Sequence, residues 1–112
     1  MSEPVTLSTH VLDTARGRPA EGVELSLLDA QGQALATVRT DADGRAAVWP
    51  GVDALAPGRY RLRFAVGTWL AGDGVEGFYD DVEIAFRATE PGAHYHVPLL
   101  ISPYGYSTYR GS

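Results

Sequence analysis

The chain has 112 residues with 14 acidic and nine basic side chains, so its formal net charge at pH 7 is −5. Its basic residues are all arginine and cysteine is absent, which excludes disulfides, thiolate nucleophiles, cysteine-ligated metals, lysine Schiff bases and a P-loop lysine. An acidic chain without a basic run is a poor nucleic-acid binder, and no apolar run approaches the about 20 residues of a membrane span.

Strand-like alternation, interrupted by Gly, Pro and Asp, runs through the whole chain. In chain order, the predicted strands cover residues 5–13, 23–28, 34–40, 45–49, 59–66, 81–87, 94–101 and 104–109, with a loop at 16–22, tight turns at 29–32 and 41–44, and one helical turn at 68–72. About eight short strands at roughly 10-residue spacing predict an all-β fold, a sandwich of two antiparallel sheets with one short helix.

A chain of this length fits one hydrophobic core, so we expect a single domain over residues 1–112. Residues 1–4 carry no basic segment and no apolar segment follows them, so no signal peptide is predicted and these residues are expected to fray. Together with the absence of cysteine, this favours a cytoplasmic location.

Histidines in the first and the penultimate predicted strands lie out of phase with the apolar side chains. In residues 5–13, His10 points to the side opposite the apolar side chains. In residues 94–101, His94 and His96 point to the side opposite the more apolar face. We therefore expect His10 and His96 to project away from the sandwich core. Apolar surface on the outside of a sheet usually has a partner, so we expect another subunit to cover this face.

Simpler interpretations of the same residues stay open at this point. An isolated histidine on a strand is more often a surface or interface residue than a catalyst, and Arg45 directly after a turn is by default a solvated arginine. His94-x-His96 could also form a metal pair with His10 as third ligand, because residues i and i+2 of a strand point the same way. No carboxylate occupies an obvious fourth position, so we predict no metal.

Several segments taken together carry a resemblance to a known family. They are Leu7-Ser8-Thr9-His10-Val11-Leu12-Asp13, Asp43-Gly44-Arg45, Phe78-Tyr79, His94-Tyr95-His96-Val97-Pro98-Leu99-Leu100 and the terminal Tyr109-Arg110-Gly111-Ser112. The chain resembles the 5-hydroxyisourate hydrolases of the transthyretin-like family over about residues 5–112. The terminal tetrapeptide and His-x-His-Val-Pro-Leu are specific, whereas Asp-Gly-Arg alone would be weak.

The resemblance implies a transthyretin-like sandwich that forms a homotetramer, a dimer of dimers whose outer sheet faces enclose a channel. It implies an enzyme of urate degradation that opens the cyclic amide of 5-hydroxyisourate to 2-oxo-4-hydroxy-4-carboxy-5-ureidoimidazoline. By position, His10, Arg45 and His96 match the family's catalytic residues. Tyr109 and Ser112 match its signature residues, and with His10 and Arg45 they are expected to bind the substrate.

These residue types suit amide hydrolysis. Histidine can take a proton from water near neutral pH, and an arginine stays protonated and can stabilise the negative charge that develops on the carbonyl oxygen. The sequence leaves open whether His10 or His96 is the base, and it assigns His94 no direct role. The terminal carboxylate of Ser112 could orient a histidine or Arg45. Hydrolysis of a polarised ring amide requires neither redox chemistry nor a metal, so no cofactor is expected.

Two other functions compete with the hydrolase. The first is a transthyretin-type carrier that binds a small ligand in the same channel without turnover. The second is a structural β-sandwich module of a larger assembly, although the sequence contains no linker or repeat that would suggest one. Two histidines and an arginine facing a channel favour chemistry over the capture of an apolar hormone.

Overall fold

Two β-sheets stacked face to face enclose the hydrophobic core. The structure is a computed structural model that describes residues 3–112. The expectation that residues 1–4 fray therefore falls partly on residues 1 and 2, which lie outside the described range.

The described part of the chain contains nine strands and one helix. In chain order these are β1 (Thr6–Asp13), β2 (Arg18–Pro19), β3 (Glu24–Asp29), β4 (Ala34–Arg39), β5 (Arg45–Ala46), β6 (Gly58–Phe64), α1 (Val66–Gly72), β7 (Val82–Ala88), β8 (His94–Ser102) and β9 (Gly105–Thr108). The first sheet has the order β2-β1-β8-β9, with β5 paired to β1, and the second has the order β4-β3-β6-β7. The predicted all-β sandwich with one short helix is confirmed.

Alternation along the strands builds the core between the sheets. In β6, Tyr60, Leu62 and Phe64 are buried, whereas the arginines between them face outward, as period-two alternation in a strand requires. Burial of a Leu or Phe side chain contributes about 1.5–3 kcal/mol relative to leaving it exposed, so this face of the strand has to be the inner one.

The helix α1 follows β6 directly and packs on the core through Val66 and Leu70, which lie one turn apart. It begins at Val66, two residues before the helical turn predicted at 68–72. Within residues 3–112, no helix is both long and apolar enough to cross a membrane.

The strands β1 and β8 pair in parallel, which differs from the predicted all-antiparallel pairing. They lie far apart in the sequence, so no hairpin dictates their relative direction. Their register sets Ser8 opposite His96 and His10 opposite Pro98. This one pairing decides which polar side chains meet on the outside of the first sheet.

Besides shifts of one or two residues at several strand ends, two segments depart from their predicted boundaries. Part of the predicted loop 16–22 forms β2, because it pairs with the end of β1. The predicted strand 45–49 is paired only up to Ala46, because Trp49 turns inward. Its buried indole Nε1 donates a hydrogen bond of 3.0 Å to the carbonyl oxygen of Leu7.

Candidate active site

The outer face of the first sheet carries the three side chains that the sequence singles out for catalysis. His10 on β1 is half-buried and lies directly opposite the exposed Arg45 on β5. His96 on β8 is half-buried and is a diagonal neighbour of His10, within reach of long side chains. Three adjacent strands thus bring these residues, called the trio below, to one face. Alternation predicts the outward placement of the two histidines, and the pairing of β5 with β1 adds Arg45.

A tight turn positions Arg45 beside β1. The side-chain Oδ1 of Asp41 accepts hydrogen bonds from the backbone N–H groups of Asp43 (2.9 Å) and Arg45 (3.0 Å). Gly44 closes the turn with φ = 76°, and its carbonyl oxygen accepts a hydrogen bond of 2.7 Å from the N–H of Val11. A Cβ at Gly44 would overlap that backbone, so only glycine lets the turn dock there.

The C-terminal tetrapeptide lies against His96. The backbone N–H of Gly111 donates a hydrogen bond of 2.8 Å to the His96 carbonyl oxygen, and a Cβ at Gly111 would collide with the imidazole ring. Between β9 and this contact, the Arg110 guanidinium stacks over the Tyr95 ring at 4.7 Å from its centroid. The glycine and the cation–π contact together hold the tail next to the site.

The other two residues of the tetrapeptide that the sequence singles out remain accessible. Tyr109 is 58% exposed, and Ser112 is exposed as well. In the part of the chain that the structure describes, neither side chain hydrogen-bonds to a member of the trio. Both adjoin the residues that tie the tail to β8, since Tyr109 precedes Arg110 and Ser112 follows Gly111.

A series of hydrogen bonds runs from His96 along the same face. The Nδ1 of His96 lies 2.8 Å from the Ser8 Oγ, which lies 2.9 Å from the Nε2 of His94. The Nδ1 of His94 in turn lies 2.6 Å from the Oγ1 of Thr6. The sequence analysis does not single out Thr6 or Ser8, because the parallel pairing of β1 with β8 is not visible in a local pattern.

The surroundings of His96 favour its neutral form. Partial burial lowers the pKa of His96 below its ordinary value of 6.5, and the positive charges of Arg45, His10 and His94 lower it further. A hydrogen bond with the Ser8 backbone acts in the opposite direction and does not outweigh these effects. His96 is therefore a neutral imidazole at neutral pH and can accept a proton.

His94 and His96 are engaged with hydroxyl groups. Both ring nitrogens of His94 and the Nδ1 of His96 lie within hydrogen-bond distance of Ser8 or Thr6. Among residues 3–112, no group of three or more His, Asp and Glu side chains is arranged to hold a metal ion. A metal bridging His94 and His96 through these nitrogens would first have to displace the hydroxyl groups.

Comparison with known proteins gives concordant matches. Residues 7–111 match the model of the HIUase/Transthyretin family. A 5-hydroxyisourate hydrolase of Mesorhizobium japonicum is 53% identical over 95% of this chain and 91% of its own length. The structure of Klebsiella pneumoniae 5-hydroxyisourate hydrolase superimposes with a TM-score of 0.86 at 46% identity and covers 100% of both chains. Transthyretin from Sparus aurata superimposes equally well, with a TM-score of 0.86 over 95% of this chain and 96% of its own, but is 31% identical.

Proposed function

This chain belongs to the HIUase/Transthyretin family, and on that premise we propose that it is a 5-hydroxyisourate hydrolase in which His10, Arg45 and His96 are the catalytic residues. The observation that carries the assignment is the meeting of these three side chains on one outer face, from three different strands. In this proposal, the whole chain forms one domain.

His96 is the general base of the proposed reaction. Its lowered pKa keeps it neutral near pH 7, and its Nδ1 is held by Ser8, so Nε2 can take a proton from the attacking water. The water oxygen bonds to the ring carbonyl carbon while the proton moves to His96. The structure thus supports His96 over His10 for a role that the sequence left open.

Arg45 and His10 complete the reaction. The guanidinium of Arg45 donates hydrogen bonds to the carbonyl oxygen as it gains negative charge. His10, which lies opposite Arg45, protonates the ring nitrogen when the carbon–nitrogen bond breaks. Exchange with solvent then returns both histidines to their starting states. Tyr109 and Ser112, at the edge of the site, bind the substrate, and the reaction uses no cofactor.

The proposal includes a homotetramer, a dimer of dimers, in which outer faces of the first sheet meet to enclose the site. Apolar Leu12 and Leu100 lie opposite each other on this outer face and are only half-buried in the single chain. The outer face of the second sheet is charged instead, with the Arg63 guanidinium 2.9 Å from the Glu83 carboxylate. Apolar surface is the side that a partner covers. The proposed location of the tetramer is the cytoplasm.

The carrier function is the weaker alternative. The transthyretin of Sparus aurata shares the fold but only 31% identity, against 53% for the hydrolase of Mesorhizobium japonicum. A carrier only binds its ligand and has no use for a proton acceptor. The site nevertheless contains an imidazole whose pKa is lowered in part by a nearby arginine. We therefore retain the hydrolase.

The decisive experiment follows fresh 5-hydroxyisourate, generated with urate oxidase, by its ultraviolet absorbance. The wild-type protein should accelerate the loss of this signal beyond spontaneous decay. His10→Ala, Arg45→Ala and His96→Ala should each lower kcat/KM by about 10²-fold or more, because each removes a proton-transfer group or an oxyanion donor. Arg59→Ala serves as the matched control, since Arg59 is exposed on the second sheet.

Two outcomes would overturn the proposal. Ligand binding with an unchanged decay rate would point to the carrier function. Activity that is lost to a chelator and restored by zinc would replace the metal-free reaction with a metal-dependent one.

A further inference from the structure

The reaction proposed above uses only the contact between Ser8 and His96 and gives no role to the rest of the hydrogen-bonded series, which runs through His94 to Thr6. Its members are direct cross-strand neighbours in the parallel pairing of β1 with β8: Thr6 lies opposite His94, and Ser8 lies opposite His96. The Ser8 hydroxyl bridges the two imidazoles at 2.9 and 2.8 Å. Within the described residues, the Nε2 of His96 has no hydrogen-bond partner in the chain itself.

The bridge couples the protonation of the two rings. A hydroxyl group has one proton, so if Ser8 donates to one imidazole it must accept from the other. When Ser8 donates to the Nε2 of His94, the Nδ1 of His96 has to carry a proton, and the Nε2 of His96 keeps its lone pair. When Ser8 donates to His96 instead, the only proton of neutral His96 sits on Nε2, which then cannot act as a base.

Of the two possible directions of the hydrogen bond between Ser8 and His96, one can be kept throughout the reaction. With Nδ1–H of His96 donating to Ser8, the same hydrogen bond persists after Nε2 has taken a proton from water. In that state the donor is an imidazolium, so the bond is charge-assisted and stronger. The opposite direction leaves Nδ1 as an acceptor, and the whole series would have to reverse before His96 could take up a proton.

We propose that Ser8 and His94 are positioning residues that hold His96 in the Nδ1-protonated tautomer, leaving its Nε2 free toward the substrate. Thr6 ends the series by accepting a hydrogen bond from the Nδ1–H of His94. No atom is gained or lost, because the series only sets which nitrogen of His96 carries the proton. This inference rests on the proposed hydrolase and deepens it.

The test reads the tautomer directly by ¹⁵N NMR of the imidazole nitrogens, at an alkaline pH at which imidazole side chains are neutral. In the wild-type protein, His96 should show a protonated Nδ1 and an unprotonated Nε2. Ser8→Ala should give averaged shifts from a mixture of tautomers, and kcat should fall by about 10- to 100-fold with KM within twofold. Ser8→Thr keeps the hydroxyl and should restore both readouts.

Ser26→Ala is the matched control, because Ser26 also makes an exposed cross-strand hydroxyl contact, 3.0 Å from Thr37, on the second sheet. It should leave the tautomer of His96 and kcat unchanged. A wild-type His96 protonated at Nε2, or a Ser8→Ala variant with wild-type shifts and kcat, would overturn the inference. The spectrum needs no substrate, so an active enzyme with the wrong tautomer refutes this inference alone, and an inactive wild-type protein refutes the proposed function.

Discussion

At the scale of single residues, His96 owes its proposed chemistry to its neighbours. An isolated histidine on a strand would be an ordinary surface residue with a pKa near 6.5. Here partial burial comes first in lowering the pKa of His96, and the Arg45 charge comes second. A lowered pKa means that, at a given pH below neutrality, a larger fraction of His96 than of an unperturbed histidine stays in the neutral form that can act as a base.

The contribution of Arg45 can be isolated by substitution. Arg45→Met removes a like charge from the surroundings of His96, so the protonated form costs less and the pKa of His96 should rise toward 6.5. Titration of the His96 ring proton by NMR measures this shift without requiring activity. Arg59→Met should leave the titration of His96 unchanged, since Arg59 faces solvent on the second sheet. A His96 that titrates identically in both variants would contradict this electrostatic account.

The lowered pKa of His96 also makes the stability of the fold depend on pH. Because the pKa of His96 is lower in the folded chain than in the unfolded chain, the unfolded state binds protons more readily between the two values. This residue therefore favours unfolding as the pH drops below 6.5. Its side chain is only partly buried, so the effect on stability is small compared with the effect on the site.

At the scale of elements, the turn between β4 and β5 determines where Arg45 lies. Asp41 organises the turn through its side-chain oxygen, and Gly44 lets the turn approach the β1 backbone. The dihedral φ = 76° at Gly44 disfavours any L side chain, and the close contact with Val11 leaves no room for a Cβ. Local backbone chemistry thus sets the position of a proposed catalytic residue.

Two glycine substitutions distinguish the cost of backbone strain at a positive φ from the cost of steric overlap with a neighbouring strand. Gly51→Ala should cost about 1–2 kcal/mol, because Gly51 has φ = 81° with open space around it. Gly44→Ala should cost about 1–3 kcal/mol more, because the added methyl group also pushes the turn away from β1, and kcat/KM should fall as Arg45 leaves His10. Urea unfolding and the absorbance assay measure the two effects. Equal stability losses in the two variants would show that the turn does not dock as described.

At the scale of the whole molecule, the two outer faces of the sandwich are chemically different. One carries the trio with the half-buried pair Leu12 and Leu100, and the other carries ion pairs such as Arg63–Glu83. Exposed ion pairs are satisfied by solvent, whereas apolar side chains gain free energy when they are covered. The proposed tetramer uses this difference to close the site between subunits.

The oligomeric state tests this contrast. Light scattering should give the wild-type protein a mass of about four chains of 12.0 kDa. Leu100→Asp should lower the mass and the activity together, because it puts a charge into the covered face. Ser26→Asp, on the outer face of the second sheet, should change neither. A monomeric wild-type protein, or a Leu100→Asp variant that keeps the full mass, would contradict the proposed assembly.

Much of the fold could be predicted because its signals are local. Alternation with period two assigns inner and outer faces from a few consecutive residues, which is why the predicted outward orientation of His10 and His96 is confirmed. Turn chemistry is equally local, as the side chains of Asp29 and Asp41 show. The resemblance to a known family added the proposed roles of the trio.

What the amino-acid sequence determined by itself was therefore the sandwich, the outward histidines and the turn that carries Arg45. Tertiary structure alone decided that β1 runs parallel to β8, with Ser8 and His96 in contact across 88 positions of sequence. The tertiary structure also decided that β2 forms and that β5 ends early. It placed Gly111 within hydrogen-bond distance of the His96 carbonyl oxygen. The physical reason is that pairing between distant strands depends on the packing of the whole core, and no window of neighbouring residues contains that information.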